Sequence, residues 1–409
     1  MSTGHAGDVA GPDWDRIRRG AGIAAAAGAV VFVALALTPL AGPHGLTQGA
    51  VSYLVAFNFW VGVPLGCLVL LMMQYLTGGA WGVLLRPILE TAARTLLVLA
   101  VLFVPVAAAL FIGAGSPYPW ARPLDQVAAG GILDELRERT WLLNPGFFIA
   151  RAAAYFACWL ALAYLLRAWA ARWRTGDAAA GERLPALSGP GLVAYGVTVT
   201  FAAIDWVMSL EPFWHSTMYP VIYGIGHVLT GFAFATAAVV LLSRYPPLAG
   251  RVRPKHLRDL GGLLLTFVML WAYTSFCQFL LIWVGNLQEE VPYYLKRLRG
   301  GWEWVGAALI AAHFALPFLV LLFRDAKENG RVLLAVALGV LGMRFVDVLW
   351  WVEPAFPHDG AGPYWLLDVA AAVAVGGVWG WWFVGWLGRA SLIPAAAGTE
   401  CEVGGAGDG

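Results

Sequence analysis

The chain has 409 residues, of which 60% are hydrophobic and 12% charged, against roughly 25% charged in an average soluble domain. A mean hydropathy of +0.70 leaves more apolar surface than one soluble core can hide and requires a bilayer. A net charge of +1 gives no indication of a nucleic-acid partner, and the basic residues matter for where they sit. The four cysteines (Cys67, Cys158, Cys277, Cys401) form no C-x-x-C or C-x-x-C-H pattern, so covalent c-type haem, an iron–sulfur cluster and a zinc ribbon lack their ligand motifs.

A helix needs ~20 apolar residues to cross the hydrocarbon core. Ten stretches meet this, near 20–42, 50–76, 92–114, 147–169, 190–210, 217–243, 259–286, 301–323, 331–352 and 364–388. The predicted fold is therefore all-α: a ten-helix transmembrane domain over 20–388, with a cytoplasmic arm at 1–19 and a small, polar, disordered cytoplasmic tail at 389–409. Arg16, Arg18 and Arg19 precede the first run, which is too long for a signal-peptide core and reads as an uncleaved first span. Of the 26 lysines and arginines, 17 fall on the side that holds both termini and 6 on the other, which orients the termini to the cytoplasm. The 21 tryptophans suit anchoring at two interfaces. The longer polar segments are 115–146, with a short amphipathic helix expected around Asp134–Arg139, and 170–189, expected inside.

The fifth span closes on Asp205…Glu211-Pro212 and the ninth on Asp347…Glu353-Pro354. Both read D-x5-E-P, both end an outward-running helix, and they stand four helices apart. This predicts two four-helix units in one orientation.

Ionisable groups inside a membrane cost a few kcal/mol each on insertion scales, so each needs a reason. They crowd the outer halves of the spans. Asp205 lies ~7 Å below the outer end of the fifth helix, followed by Glu211 and His215. Arg344 and Asp347 are three apart on one helical face and can pair. Glu353 and His358 follow, and Asp368 lies one turn into the tenth span. Gln278 and Asn286 occupy the outer half of the seventh, which leads to Glu289 and Glu290; His227 and His313 sit near mid-membrane. The functional reading is an outer polar cavity that exchanges protons, with a quinone headgroup as candidate ligand at His227, His313, Gln278 and Asn286. The structural reading makes Arg344–Asp347 a neutralised pair, D-x5-E-P a helix terminator and the histidines hydrogen-bonded core residues. His227 and His313 facing each other would be the ligands of a b-type haem; otherwise no metal ligands are indicated. Glu90 and Arg94 read as an i,i+4 pair that snorkels to the inner interface.

The stretch Asp205-Trp206-Val207-Met208-Ser209-Leu210-Glu211-Pro212-Phe213-Trp214-His215-Ser216-Thr217 resembles a membrane subunit of bacterial alternative complex III. So do Trp271 to Gln278, Asn286, Glu289 and Glu290, then Gly301-Trp302, His313 to Pro317, and Arg324-Asp325-Ala326-Lys327. The resemblance is to the second of that complex's two polysulfide-reductase-like (NrfD-like) ten-helix subunits, and its motifs cover the fifth to ninth spans. It implies two four-helix bundles plus two peripheral helices, no redox centre in this subunit, and a place in a quinol:cytochrome c oxidoreductase of the bacterial cytoplasmic membrane. It further implies partners: a multihaem cytochrome c, an iron–sulfur subunit and a sister ten-helix subunit that is the better candidate for the main quinol site. For this subunit it implies proton conduction and a second quinone site. The positions that match are Asp205, Glu211, His215, Gln278, Asn286, Glu289, Glu290 and His313. The chain departs from the family in Gln288-Glu-Glu-Val, where Pro-Glu-Glu-Thr is usual, and in Cys277, where serine is common. On this reading no cofactor is bound covalently, quinone or quinol is the ligand, and the chain alone is a non-catalytic or quinone-interacting subunit. Proton-path candidates are Asp205, Glu211, His215, Arg344, Asp347, Glu353, Asp368, Glu289 and Glu290. The alternatives are a secondary transporter with an outer-facing charged cavity and a di-histidine cytochrome b.

Overall fold

A computed structural model describes residues 11–37, 45–123, 140–356 and 364–392. Ten helices in it are long and apolar enough to cross a membrane, and among the described residues there is no strand. The protein is an all-α, multi-pass membrane protein. The spans are α1 (Trp14–Leu37), α2 (Gly45–Thr77), α3 (Trp81–Phe111), α4 (Pro145–Arg174), α5 (Ala178–Leu210), α6 (Tyr219–Leu242), α7 (Pro254–Gly285), α8 (Trp302–Leu322), α9 (Gly330–Ala355) and α10 (Tyr364–Leu387). In a bilayer every backbone polar group must be satisfied within the segment, which is why long apolar runs have no alternative to helix.

Several boundaries differ from the sequence expectation. Segment 170–189, expected as an inner loop, is helical on both sides of a turn at Thr175–Asp177. Asp177 caps α5 by accepting from the Ala180 amide at 3.2 Å, and the alanines that follow carry the helix beyond the apolar stretch. α3 likewise begins eleven residues before the expected 92. Further along it loosens at Thr95, whose hydroxyl donates to the Ala92 carbonyl at 2.6 Å, and at Phe103, ahead of Pro105, which has no amide to give back. The helix expected around Asp134–Arg139, His358, Cys401 and the tail beyond 392 lie outside the described residues.

α2, α3, α4 and α5 pack in a ring, each against the next and α5 back against α2; α6, α7, α8 and α9 form a second ring. The two units meet mainly through α2 against α6, while α10 lies on α2 and α1 lies on α10. The expected repeat is thus realised as two four-helix units with two added helices. Close approach of α2 and α6 is possible because Gly66 faces Gly231: a Cβ on Gly231 would stand 2.6 Å from the Cys67 amide nitrogen. Small residues at a helix contact are how membrane helices gain van der Waals packing without a hydrophobic driving force.

The units are filled differently. All four helices of the first send aromatic rings around Trp206, with Phe103, Phe57, Phe156 and Trp159 at centroid distances of 5.1, 5.6, 5.8 and 5.8 Å. The second holds a polar cluster. The end where α1 begins and α10 finishes is called the basic end below, and the end bearing both D-x5-E-P motifs the carboxylate end.

Candidate functional site

Every helix of the second unit contributes to its buried polar cluster. Arg344 of α9 is 1% exposed and Asp347, one turn on, 2%; they form the expected ion pair. The Arg344 guanidinium also donates from Nε to the Thr230 hydroxyl of α6 at 3.2 Å. Asp347 accepts from the Trp271 indole of α7 at 3.0 Å. Against that indole packs the His313 ring of α8, with centroids 4.0 Å apart. Gly226 leaves the space the guanidinium fills.

His313 lies in a π-helical turn, Leu309–Ala315. The cause is local: Pro317 has no amide to donate to the His313 carbonyl, and the helix widens by a residue around the gap. His313 is fully buried and neither ring nitrogen has a hydrogen-bond partner. His227 reaches the same region from α6. Its Nδ1 stands 3.2 Å from the Tyr195 hydroxyl, its ring packs on Tyr223 at 4.3 Å, and Tyr223 donates to the Asn58 side chain at 2.6 Å. Each histidine packs against its own aromatic partner. Among the described residues no group of three or more His, Cys, Asp or Glu converges as a metal site.

Asp205, the counterpart of Asp347 in the repeat, has a different partner. Its carboxylate is gripped by Arg151 of α4 through Nε at 2.8 Å and Nη2 at 2.7 Å, and Tyr155 donates to it at 2.7 Å. A bidentate arginine plus a phenol satisfies most of its lone pairs, so Asp205 acts as a tether between α4 and α5. It is not brought to the Arg344 cluster.

At the carboxylate end Glu211 accepts from Lys296 at 2.7 Å and from Arg297 at 3.1 Å. Arg297 is fully buried; it sits in the short helix Val291–Arg297 between α7 and α8. It donates to the Trp350, Trp351 and Tyr293 carbonyls at 3.0, 2.9 and 2.9 Å, with its guanidinium 3.4 Å over the Tyr293 ring. Burial pushes the Tyr293 phenol far above its usual range, so it stays protonated. Beside this knot opens a cavity of about 590 Å³ lined by Glu211, Trp214, Gln288, Glu289, Tyr293 and Lys296, among others. Glu353 forms a separate cluster. It accepts from Gln48 at 3.2 Å through both oxygens, and the Asp368 carboxyl lies against it; both acids are almost completely buried.

The remaining sequence candidates are more scattered. Gln278 is buried and accepts from Ser216 at 2.6 Å, while its amide nitrogen has no partner. Asn286 ends α7 in the left-handed region at φ 45°, a position asparagine tolerates and which needs no ligand to explain it. His215 and Glu289 are exposed and Glu290 half-buried. Glu90 does not pair with Arg94: Arg174 reaches it at 3.0 Å and Tyr75 at 3.3 Å, while Arg94 lies 4.3 Å over Trp386.

Sequence reading missed Arg151, Arg297 and Gln48 as partners, and Trp271 and Tyr195 as links. Arg297 carried a signal only in hindsight, within a basic run that reads as interfacial charge. Its burial gives a direct expectation. Arg297→Ala strands three carbonyls and leaves Glu211 with Lys296 alone, and should destabilise the protein by about 3–5 kcal/mol, whereas Lys296→Ala, on an exposed partner, should change it by less than about 1 kcal/mol. Thermal unfolding of the two variants in one detergent measures the contrast; equal effects would contradict this account of the knot.

No protein-family model matches the chain, and no curated protein matches it.

Proposed function

We propose that this multi-pass membrane protein is a subunit of a quinol-oxidising respiratory complex in a bacterial cytoplasmic membrane, similar to the second NrfD-like subunit of alternative complex III, and that its second four-helix unit handles protons. The observation that carries this reading is the Thr230–Arg344–Asp347–Trp271–His313 cluster, assembled from all four helices of that unit. A proton route needs groups that accept as well as donate, which carboxylates, histidines and hydroxyls do. The first unit is instead centred on the rings around Trp206, and its buried carboxylate, Asp205, is held by Arg151 and Tyr155.

On this reading Asp347 and His313 exchange protons inside the unit, and Glu353 with Asp368 does so nearer the carboxylate end. A hydrogen bond between two carboxyl groups has to carry a proton, so the Glu353–Asp368 contact is suited to storing one. The carboxylate end faces outward, by the excess of lysine and arginine at the other end. A quinone would be held by donors such as the free Gln278 amide or by the cavity at Glu211, whose volume falls in the range of small-molecule sites. Haem and iron–sulfur centres would belong to the partner subunits.

One observation favours a secondary transporter instead. The π turn at His313 interrupts α8 near mid-span, and transporter sites are built on interrupted helices. Purification of the tagged protein in mild detergent, with identification of what accompanies it and an assay of quinol:cytochrome c activity, separates the two. A multihaem cytochrome, an iron–sulfur subunit and a second ten-helix protein are the expected companions. Glu353→Gln, which leaves no buried cation without its partner, should then lower turnover at least about tenfold while leaving the complex assembled, as loss of a proton-transfer group does. A protein recovered alone and inactive with quinol would refute the respiratory reading and favour transport.

A further inference from the structure

A second site lies at the opposite end of the molecule and is independent of the proposed function. Between α3, α4 and α10, at the basic end, is a cavity of about 600 Å³ whose lining includes Arg86, Glu90, Arg94, Arg167, Arg174 and Arg389. Glu90 is its one acid, and that acid is already taken by Arg174 and Tyr75. Arg86, Arg94, Arg167 and Arg389 make no ion pair among the described residues.

Arg86 is the unusual member. It is only 7% exposed and its Nε has no hydrogen-bond partner; its guanidinium lies 5.2 Å from the Trp173 ring and 5.6 Å from Tyr75. A buried cation without an anion is strongly disfavoured unless something supplies one. Arg94, Arg167 and Arg389 add to the imbalance as three further cations in the same lining. An anion in the cavity would offset them. Guanidinium groups match the oxygens of a phosphate in paired hydrogen bonds, which makes arginine the side chain suited to that ligand.

The direction of the cavity selects the kind of phosphate. Arg86 and Arg94 are eight residues apart on one helix, ~12 Å along its axis, so the positive wall runs from the interface into the edge of the hydrocarbon. Apart from Thr91 and Ser391 the rest of the lining is apolar or aromatic, with Ala168, Ala171, Trp386 and Tyr164, the last 62% exposed. A free anion would use only the mouth. A phospholipid places its phosphodiester among the arginines and its acyl chains along the alanines of α4. We infer that this cavity binds the phosphodiester headgroup of an anionic phospholipid, between α3, α4 and α10. Basic pockets between membrane helices recognise lipid headgroups by this chemistry.

The test is native mass spectrometry of the full-length protein in mild detergent, titrated with phosphatidylglycerol and with phosphatidylcholine of the same chains. Phosphatidylglycerol adducts should persist at concentrations where phosphatidylcholine adducts are lost. The double variant Arg86→Gln/Arg94→Gln should weaken retention at least about tenfold, taking roughly 1 kcal/mol for each arginine. Arg251→Gln, exposed at the same end but outside the cavity, should leave it unchanged. Equal binding of the two lipids, or no change in the double variant, would overturn the proposal. Displacement of the lipid by millimolar inorganic phosphate would overturn the lipid as the source of the anion. If the double variant fails to purify as a single species, the headgroup preference and the phosphate competition of the unaltered protein decide the matter alone.

Discussion

Arg344→Leu is expected to destabilise the protein by about 3–5 kcal/mol, because it leaves the Asp347 carboxylate buried without its cation. Asp347 is 2% exposed and would retain only the Trp271 indole as a donor. The same reasoning gives a sharper second arm. The double variant Arg344→Leu/Asp347→Leu removes both charges and both desolvation penalties, and replacing a buried pair by apolar side chains is often neutral or stabilising. Thermal unfolding of the two single variants and the double variant in one detergent should therefore show two large losses and a recovery. A double variant as unstable as the singles would mean that Thr230 and Gly226 depend on the guanidinium for more than charge balance. If stability recovers while turnover of a purified complex does not, the pair serves the reaction and not the fold.

The second large effect is expected at the contact between the two units. Gly231→Val should separate α2 from α6, because a Cβ there meets backbone atoms, Cys67 N and Gly66 C, each 2.6 Å away. Backbone in a packed helix has nowhere to go, so the cost falls at the upper end of overpacking, about 3 kcal/mol. Separation would also stretch the Tyr223–Asn58 bond at 2.6 Å, which joins α6 to α2 beside His227. Size-exclusion profiles and thermal unfolding should show a less stable, more heterogeneous protein. Gly196→Ala is the matched control: nothing lies within 4 Å of the added carbon, and the variant should behave as the unaltered protein. A benign Gly231→Val would show that the two units are not held at backbone distance.

Asp205 and Asp347 show how much a repeat can say. The shared D-x5-E-P motif correctly announces two four-helix units, since α2–α5 and α6–α9 close as separate rings. It does not announce that one unit is filled by rings around Trp206 and the other by an arginine, an aspartate and a histidine. Asp205 answers to Arg151, 54 positions away; Asp347 answers to a residue on its own helix. The i,i+3 spacing made the second pair legible. For Asp205 no spacing rule could select Arg151 over other basic residues, because the choice depends on how α4 and α5 are rotated about their axes.

The same distinction runs through the rest of the molecule. Ten spans follow from the sequence by itself, since a run of ~20 apolar residues in a bilayer must satisfy its own backbone. So do the residues that are expensive to bury, which can be read one at a time. Hydropathy is a local property, and it misplaces only those helix ends that run past the membrane, as at 170–189. The tertiary structure alone decided which expensive residues meet: Glu353 with Gln48, 305 positions apart, Arg297 with the carbonyls at the end of α9, and Arg86 with no ion-pair partner among the described residues, its Nε left without a hydrogen bond. Those outcomes rest on helix rotation, on glycine-limited approach and on a π turn opened by Pro317. Each is set by packing between segments distant in the chain, which local periodicity does not encode.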